Sequence, residues 1–198
     1  MLLPATEQHH PAAMGLDALP PDRILHHILV QAQASLACIE AALPQIAAAA
    51  MLVAGALQAG NKLIYAGAGS SALMACADGL ELPGTYGVHP DQVVLLMAGG
   101  LPVDARMPGG TEDDVDQATR AASVIAPGDV VIAVTASGST PFAVAIAAAA
   151  QAKIAMPITW AIFVCAAAAI VTAKGVDPLA VTAITTSPAV MTSAACTA

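Results

Sequence analysis

Two short segments rich in glycine and hydroxyl side chains contain the residues best suited to bind an anion. They are residues 67–71, Gly-Ala-Gly-Ser-Ser, and residues 135–140, Thr-Ala-Ser-Gly-Ser-Thr. Each combines glycine, which lets a ligand approach the backbone closely, with hydroxyl donors and a following helical segment. Because the first N–H groups of a helix attract anions, the two segments together indicate a phosphate site. The alternative interpretation is a pair of ordinary strand-to-helix turns with capping hydroxyls.

Neither segment matches a nucleotide-binding motif. The Gly-Lys-Ser/Thr sequence of a P-loop is missing, and Ala72 stands where a GxGxxG motif has its third glycine. The sequence therefore favours a small phosphorylated ligand over a nucleotide.

Two glutamates could transfer protons beside such a phosphate. Glu81 lies in the sequence DGLELPGTYG, which we interpret as a loop after the first helix of the sheet domain. Glu112 follows Thr111, the predicted N-cap of a helix, where an acid also suits the positive end of the helix dipole. Taken singly, each has a simpler interpretation: Glu81 as a solvated loop acid and Glu112 as a capping carboxylate. As a pair near a phosphate, they suggest a general acid and a general base.

The histidines and cysteines show no spacing typical of a metal or catalytic site. The five histidines form no HxxxH or HExxH pattern, the four cysteines form no CxxC, and no GxSxG sequence is present. We therefore expect no metal and no cofactor. The cysteines are expected to be reduced, mostly buried thiols of a cytoplasmic protein.

Three continuous apolar segments predict the strands that position the candidate residues. They span residues 63–66, 93–97 and 130–135, and each runs into a glycine-rich turn or loop that leads to a helical segment. Continuous rather than alternating apolar strands are typical of a parallel sheet with helices on both faces. The sequence thus predicts an α/β fold that binds its ligand at the carboxyl ends of the strands.

Helical segments precede these strands. Asp22 predicts a helix start, Ser35 a second helical region that Pro44 bends or divides, and Gly60 the end of that region. We assign residues 1–60 to an N-terminal helical segment that packs on or dimerises the domain. Residues 61–198 are assigned to the α/β domain.

Composition excludes several classes of protein. With 58% apolar and 10% charged residues the chain is not intrinsically disordered, and a net charge of −8 argues against a nucleic-acid partner. An alanine-rich surface with so little charge suggests a partner subunit. Residues 41–61 and 154–173 are free of charge and long enough to span a bilayer, but we interpret both as buried core segments. The N-terminus shows no signal-peptide pattern, so we expect a cytoplasmic protein without a membrane partner.

Several motifs in order resemble the N-acetylmuramic acid 6-phosphate etherases of the sugar isomerase (SIS) superfamily. The similar segments are TEQHHPAAMGLDAL, AGNKLIYAGAGSS, ELPGTYGVHPDQVVLLMAGG, GGTEDD and GDVVIAVTASGSTPF. The last three correspond to the family's Glu-Cys-Pro-Pro-Thr-Tyr/Phe-Gly, Glu-Gly-Ala-Glu-Asp and Ala-Ala-Ser-Gly-Arg-Thr-Pro-Tyr motifs. The resemblance covers residues 5–152 and implies a SIS-type, flavodoxin-like three-layer sandwich that forms a homodimer.

The resemblance also implies a reaction and a set of roles. The family cleaves the D-lactyl ether of N-acetylmuramic acid 6-phosphate, giving N-acetylglucosamine 6-phosphate and D-lactate, in peptidoglycan recycling. Glu81 would protonate the departing ether oxygen, and Glu112 would take the C2 proton of the open-chain sugar. An acid role requires a desolvated Glu81, which a dimer interface could supply. The implied phosphate ligands are Ser70, Ser71, Ser137, Ser139 and Thr140, and the implied close-approach glycines are Gly67, Gly69 and Gly138.

The chain also departs from the family pattern. Leu73 and Ser139 stand where the family has arginine, and Ala72 replaces a glycine. From Lys153 onward the family's Gly-Ser-Ser/Thr-Arg-Met and Ala-Gly-Thr-Ala-x-Lys sequences are missing. Our hypothesis is that this atypical tail arose by a reading-frame shift or a degenerate replacement.

Two other functions stay open. One is a non-catalytic phosphosugar-binding regulator similar to the glucokinase regulatory protein, and the other is a phosphosugar isomerase. Retention of Glu81 and Glu112 favours the etherase, whereas the altered tail favours the regulator. No histidine or glutamate is placed by a motif for isomerase chemistry.

Overall fold

The computed structural model describes residues 13–136, 138–153 and 160–165. The α-helices are α1 Pro21–Ala41, α2 Leu43–Gln58, α3 Gly69–Tyr86, α4 Val115–Ala121 and α5 Pro141–Lys153. The strands are β1 Leu63–Gly67, β2 Val93–Met97, β3 Val130–Thr135 and β4 Trp160–Cys165. Three short 3₁₀ helices cover Leu16–Ala18, Pro90–Gln92 and Ala122–Val124.

The strands form one parallel sheet in the order β2-β1-β3-β4. Leu63 at the start of β1 is opposite both Val93 of β2 and Val130 of β3. Because β1 and β3 are direct neighbours, the turns that follow them leave the sheet side by side at its carboxyl edge. The three predicted strands are confirmed, with β1 one residue longer than predicted.

Helices cover both faces of this sheet, because alternate residues of each strand point to opposite sides. On one face Leu63, Tyr65 and Val130 pack against α2 and α3 through small residues such as Ala56 and Ala75. The opposite face is the larger cluster, whose buried members include Ile64, Val131, Ala118 of α4, and Phe142 and Ile146 of α5. The predicted three-layer α/β sandwich is therefore confirmed.

Helix α3 approaches the sheet most closely at Gly79. A β-carbon at this position would lie 2.7 Å from Cδ2 of Leu95 and 3.0 Å from Cδ2 of Tyr65. Next to this contact the buried Tyr65 hydroxyl donates a hydrogen bond to the Asp78 carboxylate. The missing side chain and the polar link together set how α3 lies on β1.

Polar side chains hold the amino edge of the sheet. The buried Asp129 carboxylate accepts hydrogen bonds from the backbone N–H of Lys62 and of Ala126, at 2.9 and 2.8 Å. The Gln92 amide donates to the carbonyls of Leu57 and Asn61, at 2.8 and 3.0 Å. These bonds satisfy backbone groups where α2 ends and the strands begin.

The N-terminal helices differ from the prediction in one respect. Helix α1 continues through Ser35 to Ala41, so Ser35 does not begin a helix. The break comes at Ala42, and Pro44 lies in the first turn of α2, which is bent by 66° from α1. Proline is tolerated in a first turn because its missing N–H would have no intrahelical partner there. The predicted division by Pro44 and the helix end at Gly60, with a φ of +81°, are confirmed.

The length and apolar character of the described helices bear on whether the chain could cross a membrane. Among the described residues no single helix has both the length and the apolar character to cross a membrane, but the bent pair α1 and α2 together would meet these two criteria. Most of the other charge-free stretch, residues 154–173, lies outside the described residues; the part within them is β4. Predictions for residues 1–12 and for the tail beyond Cys165 also fall outside.

Candidate functional site

The first turn joins β1 to α3 at the carboxyl edge. Gly67 ends β1, and a β-carbon there would lie 2.8 Å from the Val134 carbonyl oxygen, so only glycine fits without a backbone shift. Gly69 has a φ of +56° and begins α3. Ser70 is exposed and Ser71 half-buried within the first turn of this helix, whose leading N–H groups have no intrahelical acceptors. This arrangement can bind an oxyanion through backbone and hydroxyl donors.

The second turn joins β3 to α5. Thr135, buried at the end of β3, and Thr140 share a hydrogen bond between their hydroxyl oxygens at 2.7 Å. The Thr140 carbonyl accepts from the N–H of Val144 at 3.0 Å, just before Pro141 begins α5. Gly138 has a φ of +75° and Ser139 is exposed. Ser137 lies outside the described residues.

Glu112 lies beside this second turn. Its carbonyl accepts a hydrogen bond from the N–H of Phe142 at 2.9 Å, which ties the chain at Glu112 to the start of α5. The predicted N-cap at Thr111 is wrong, because α4 begins at Val115 and the Asp114 carboxylate caps it, accepting from the Gln117 N–H at 2.7 Å. Since Asp114 is the cap, the Glu112 carboxylate is an exposed acid in the preceding turn.

Glu81 lies within α3, not in a loop as predicted. The sequence Pro83-Gly84 suggested a break, but the helix continues to Tyr86 and ends at Gly87, which has a φ of +69°. Local propensity is overridden because Leu82 packs into the cluster on the α3 face of the sheet. Glu81 is exposed, and its carboxylate accepts from the Thr85 hydroxyl at 3.0 Å.

One protomer does not bring the two glutamates together. Helix α3 starts at the carboxyl edge and runs back along the sheet, so Glu81 lies about 18 Å along the helix axis from Gly69 at 1.5 Å per residue. Glu112, in contrast, is at the carboxyl edge with both turns. The predicted acid and base therefore lie in different regions of the same chain.

Two further polar residues of this edge were not among the predicted site residues. Thr135 belongs to the second predicted turn, residues 135–140, but was not named as a ligand, and Gln117 reads as a surface residue of a helix. In the structure the Gln117 side chain accepts a hydrogen bond from the N–H of Gly99 at 3.0 Å. A threonine that ends a buried strand before a Gly/Ser turn was a usable signal for Thr135, whereas Gln117 had none.

The described residues hold no group of three or more His, Cys, Asp or Glu side chains that could bind a metal ion. Cys76 is buried, and burial raises the pKa of its thiol, which disfavours the reactive thiolate. At the carboxyl edge the two turns offer hydroxyl and backbone donors, and Glu112 offers a carboxylate.

A parallel sheet with two adjoining Gly/Ser/Thr turns at its carboxyl edge defines a ligand-binding three-layer α/β domain. The family model of the SIS domain matches residues 29–158, and the chain belongs to this family. An N-acetylmuramic acid 6-phosphate etherase of Cutibacterium acnes is 38% identical over 75% of this chain and 50% of its own length. The etherases of Symbiobacterium thermophilum and Deinococcus radiodurans are 45% and 37% identical, over 54% and 69% of this chain and 36% and 46% of their own lengths. The chain thus spans about half the length, or less, of these curated relatives.

Proposed function

We propose that this protein is a carbon–oxygen lyase that cleaves the D-lactyl ether of N-acetylmuramic acid 6-phosphate. The products would be N-acetylglucosamine 6-phosphate and D-lactate. The observation that carries the proposal is the position of Glu112 beside the second of two adjoining Gly/Ser/Thr turns, in a chain whose relatives are named as etherases of this substrate. The SIS domain supports a sugar phosphate as the ligand class.

The two turns would hold the 6-phosphate. The proposed ligands are the backbone N–H groups at the start of α3 and the hydroxyls of Ser70, Ser71, Ser137, Ser139 and Thr140. Gly69, which has a positive φ and open space beside its α-carbon, would let the phosphate approach the backbone, whereas Gly67 makes room for the Val134 carbonyl that packs against it. Neutral donors can bind an anion without a net positive charge, which suits a chain with a net charge of −8.

Glu112 would act as the base. In the open-chain sugar the C2 proton is acidified by the neighbouring aldehyde, and a carboxylate can remove it. The C3–O bond to the lactyl group then breaks, and Glu81 would give the departing oxygen its proton. Water adds at C3 and a proton returns to C2, so the overall reaction consumes one water and releases D-lactate. Each step needs only a carboxylate in the correct protonation state.

A second copy of the chain would supply the missing acid. Within one protomer Glu81 faces solvent on α3, a helix that also exposes apolar side chains, including Leu80 at 67% and Met74 at 58% exposure. Association of two chains through this face would bury the apolar surface and bring Glu81 of one chain towards the carboxyl edge of the other. We therefore propose a cytoplasmic homodimer. Helix α1 also exposes apolar residues, such as Leu25 and Leu36, so the segment 1–60 would contribute to dimerisation.

Release of D-lactate from N-acetylmuramic acid 6-phosphate tests the proposal. We expect release by the parent, loss with Glu81→Ala or Glu112→Ala, and little change with Glu40→Ala, which removes an exposed glutamate from α1. If two chains share each site, mixing the two inactive variants under conditions of subunit exchange restores about a quarter of the parental activity.

The alternative function has a distinct outcome. A parent protein that releases no lactate, yet is stabilised thermally by N-acetylglucosamine 6-phosphate, would be a non-catalytic sugar phosphate binder. If the parent is active but the mixture of the two variants is inactive, the shared site is contradicted and the proposed etherase reaction is unaffected.

A further inference from the structure

The segment between β2 and α4 arches along the carboxyl edge from one turn to the other. At its start the N–H of Ala98 donates to the Gly67 carbonyl at 3.0 Å, and at its end the Glu112 carbonyl accepts from Phe142 at 2.9 Å. We name residues 99–111 the bridging loop. Because its two ends are bonded to the residues that flank the two turns, the loop belongs to the same edge as the proposed ligand.

The bridging loop carries a cation, Arg106, in a region that otherwise lacks one. Lys62 directly precedes β1 and Lys153 ends α5, which places both at the opposite edge of the sheet. Lys153 also donates to the carbonyls of Ala122 and Ile125, at 2.8 and 2.7 Å. Arg120 lies in the last turn of α4 and Arg23 in α1. Among the described residues, Arg106 is thus the basic side chain of the bridging loop, which joins the two turns.

Arg106 forms an ion pair with Asp104, and a ligand carboxylate could replace Asp104 in that pair. Its guanidinium donates to the Asp104 carboxylate through Nη2 at 2.7 Å and through Nε at 3.2 Å, while the Arg106 side chain stays 89% exposed. This pairing lowers the pKa of Asp104 and raises that of Arg106, so both groups are charged. Exposed ion pairs contribute little to stability, and a second carboxylate of matching geometry can replace Asp104 at small cost.

The proposed substrate has two anionic groups, and the turns account for one of them. The phosphate on C6 is met by the hydroxyl and backbone donors. The lactyl carboxylate is attached through the ether at C3, next to the C2 carbon from which Glu112 would remove a proton. Because Glu112 directly follows the bridging loop, the lactyl end of the sugar would lie towards Arg106.

We propose that Arg106 binds the lactyl carboxylate and so distinguishes the substrate from the product sugar, which lacks it. This inference rests on the proposed function, because the second anion is specific to N-acetylmuramic acid 6-phosphate. Arginine suits the task, since its planar guanidinium can donate two parallel hydrogen bonds to one carboxylate.

The test is a pair of dissociation constants measured by calorimetry. Both N-acetylmuramic acid 6-phosphate and N-acetylglucosamine 6-phosphate are titrated into full-length Glu112→Gln protein, in which the substrate is not consumed. Adding Arg106→Ala should weaken binding of the muramic sugar by about tenfold or more and change binding of the glucosamine sugar by less than about twofold. Arg106→Lys should fall between, and the exposed Arg120→Ala should change neither. Melting temperatures verify that each variant is folded.

Other outcomes separate this inference from the proposed function. Equal weakening of both ligands would assign Arg106 to the phosphate, and no weakening of either would remove it from the site; both results overturn the inference alone. If the protein with Arg106 intact binds neither sugar, both proposals are overturned. A parent that binds the muramic sugar more tightly through Arg106, yet releases no lactate, overturns only the reaction.

Discussion

The carboxyl edge of the sheet and the outer face of α3 hold the two candidate acids in opposite settings. At the edge, backbone hydrogen bonds tie Gly67 to Ala98 and Phe142 to Glu112, so one chain builds the turns and places the base beside them. On α3, Glu81 is an exposed side chain that accepts a hydrogen bond from Thr85 of its own helix, and the same helix exposes apolar residues such as Leu80. The difference is that one protomer places the two turns and Glu112 at the same edge, whereas Glu81 lies on an exposed helix farther along the sheet.

Replacing Glu112 should have the largest effect on turnover. We expect Glu112→Gln to lower kcat for D-lactate release by about 10²- to 10⁴-fold, because it removes the base and leaves the turns intact. Binding of N-acetylglucosamine 6-phosphate, measured by calorimetry, should change by less than about threefold. Asp113→Asn is the neighbouring control and should retain activity. A variant at Glu112 with parental kcat would remove this residue from the chemistry.

A charge on the exposed side of α3, at Leu80, should impair lactate release without impairing ligand binding at the carboxyl edge. Leu80 is 67% exposed, so Leu80→Lys should leave the protomer folded while it opposes burial of this face against a partner. We expect a shift to monomer in analytical ultracentrifugation and a loss of lactate release of about tenfold or more, with sugar phosphate binding retained. Val124→Lys places the same charge on an exposed apolar residue outside α3. An active, dimeric Leu80→Lys protein would contradict the α3 interface.

Adding one methyl group at Gly67 tests the rigidity of the carboxyl edge. Its β-carbon would meet the Val134 carbonyl at 2.8 Å and Cα of Ala72 at 3.2 Å, and both are backbone atoms that cannot rotate away. Gly67→Ala should lower the free energy of unfolding by about 1–3 kcal/mol in urea denaturation. Gly55→Ala in α2 has open space and should be neutral or stabilising by up to about 1 kcal/mol. Equal stabilities for Gly67→Ala and the parent would show that the edge can relax.

The smallest effect is expected at the link between α3 and β1. Burial, and then the hydrogen bond to Asp78, raises the pKa of Tyr65. The folded state therefore keeps the phenolic proton at a pH where the unfolded chain loses it, and stability falls as the pH rises above about 10. Tyr65→Phe should cost about 0.5–1.5 kcal/mol at neutral pH and lose less stability between about pH 9 and 11. Parallel urea stability curves for the two proteins would contradict this assignment.

The strands and turns could be predicted because their signals are local. Short apolar runs that lead into glycine-containing turns indicated three of the four described strands to within a residue, and Pro44 indicated the break between α1 and α2. The pairing of the two Gly/Ser turns also followed from the sequence, since parallel strands place their carboxyl ends at one edge.

The errors arose where contacts distant in sequence outweigh local preference. Pro83 and Gly84 suggested a loop around Glu81, but packing of Leu82 on the sheet keeps that segment helical. Thr111 was predicted as an N-cap. The hydrogen bond between Phe142 and Glu112 instead holds the chain in a turn, and Asp114 caps the helix that begins at Val115.

Residue types and their spacing were enough to predict the α/β class, which the structure confirms, and to single out the two Gly/Ser/Thr turns and the two candidate acids, because each depends on neighbours within a few positions. Their relative placement was set by tertiary structure alone. Glu81 lies about 18 Å along α3 from Gly69, and the bridging loop runs between the two turns. Both features depend on how the helices pack against the sheet, through contacts such as Gly79 with Leu95 that no local pattern encodes.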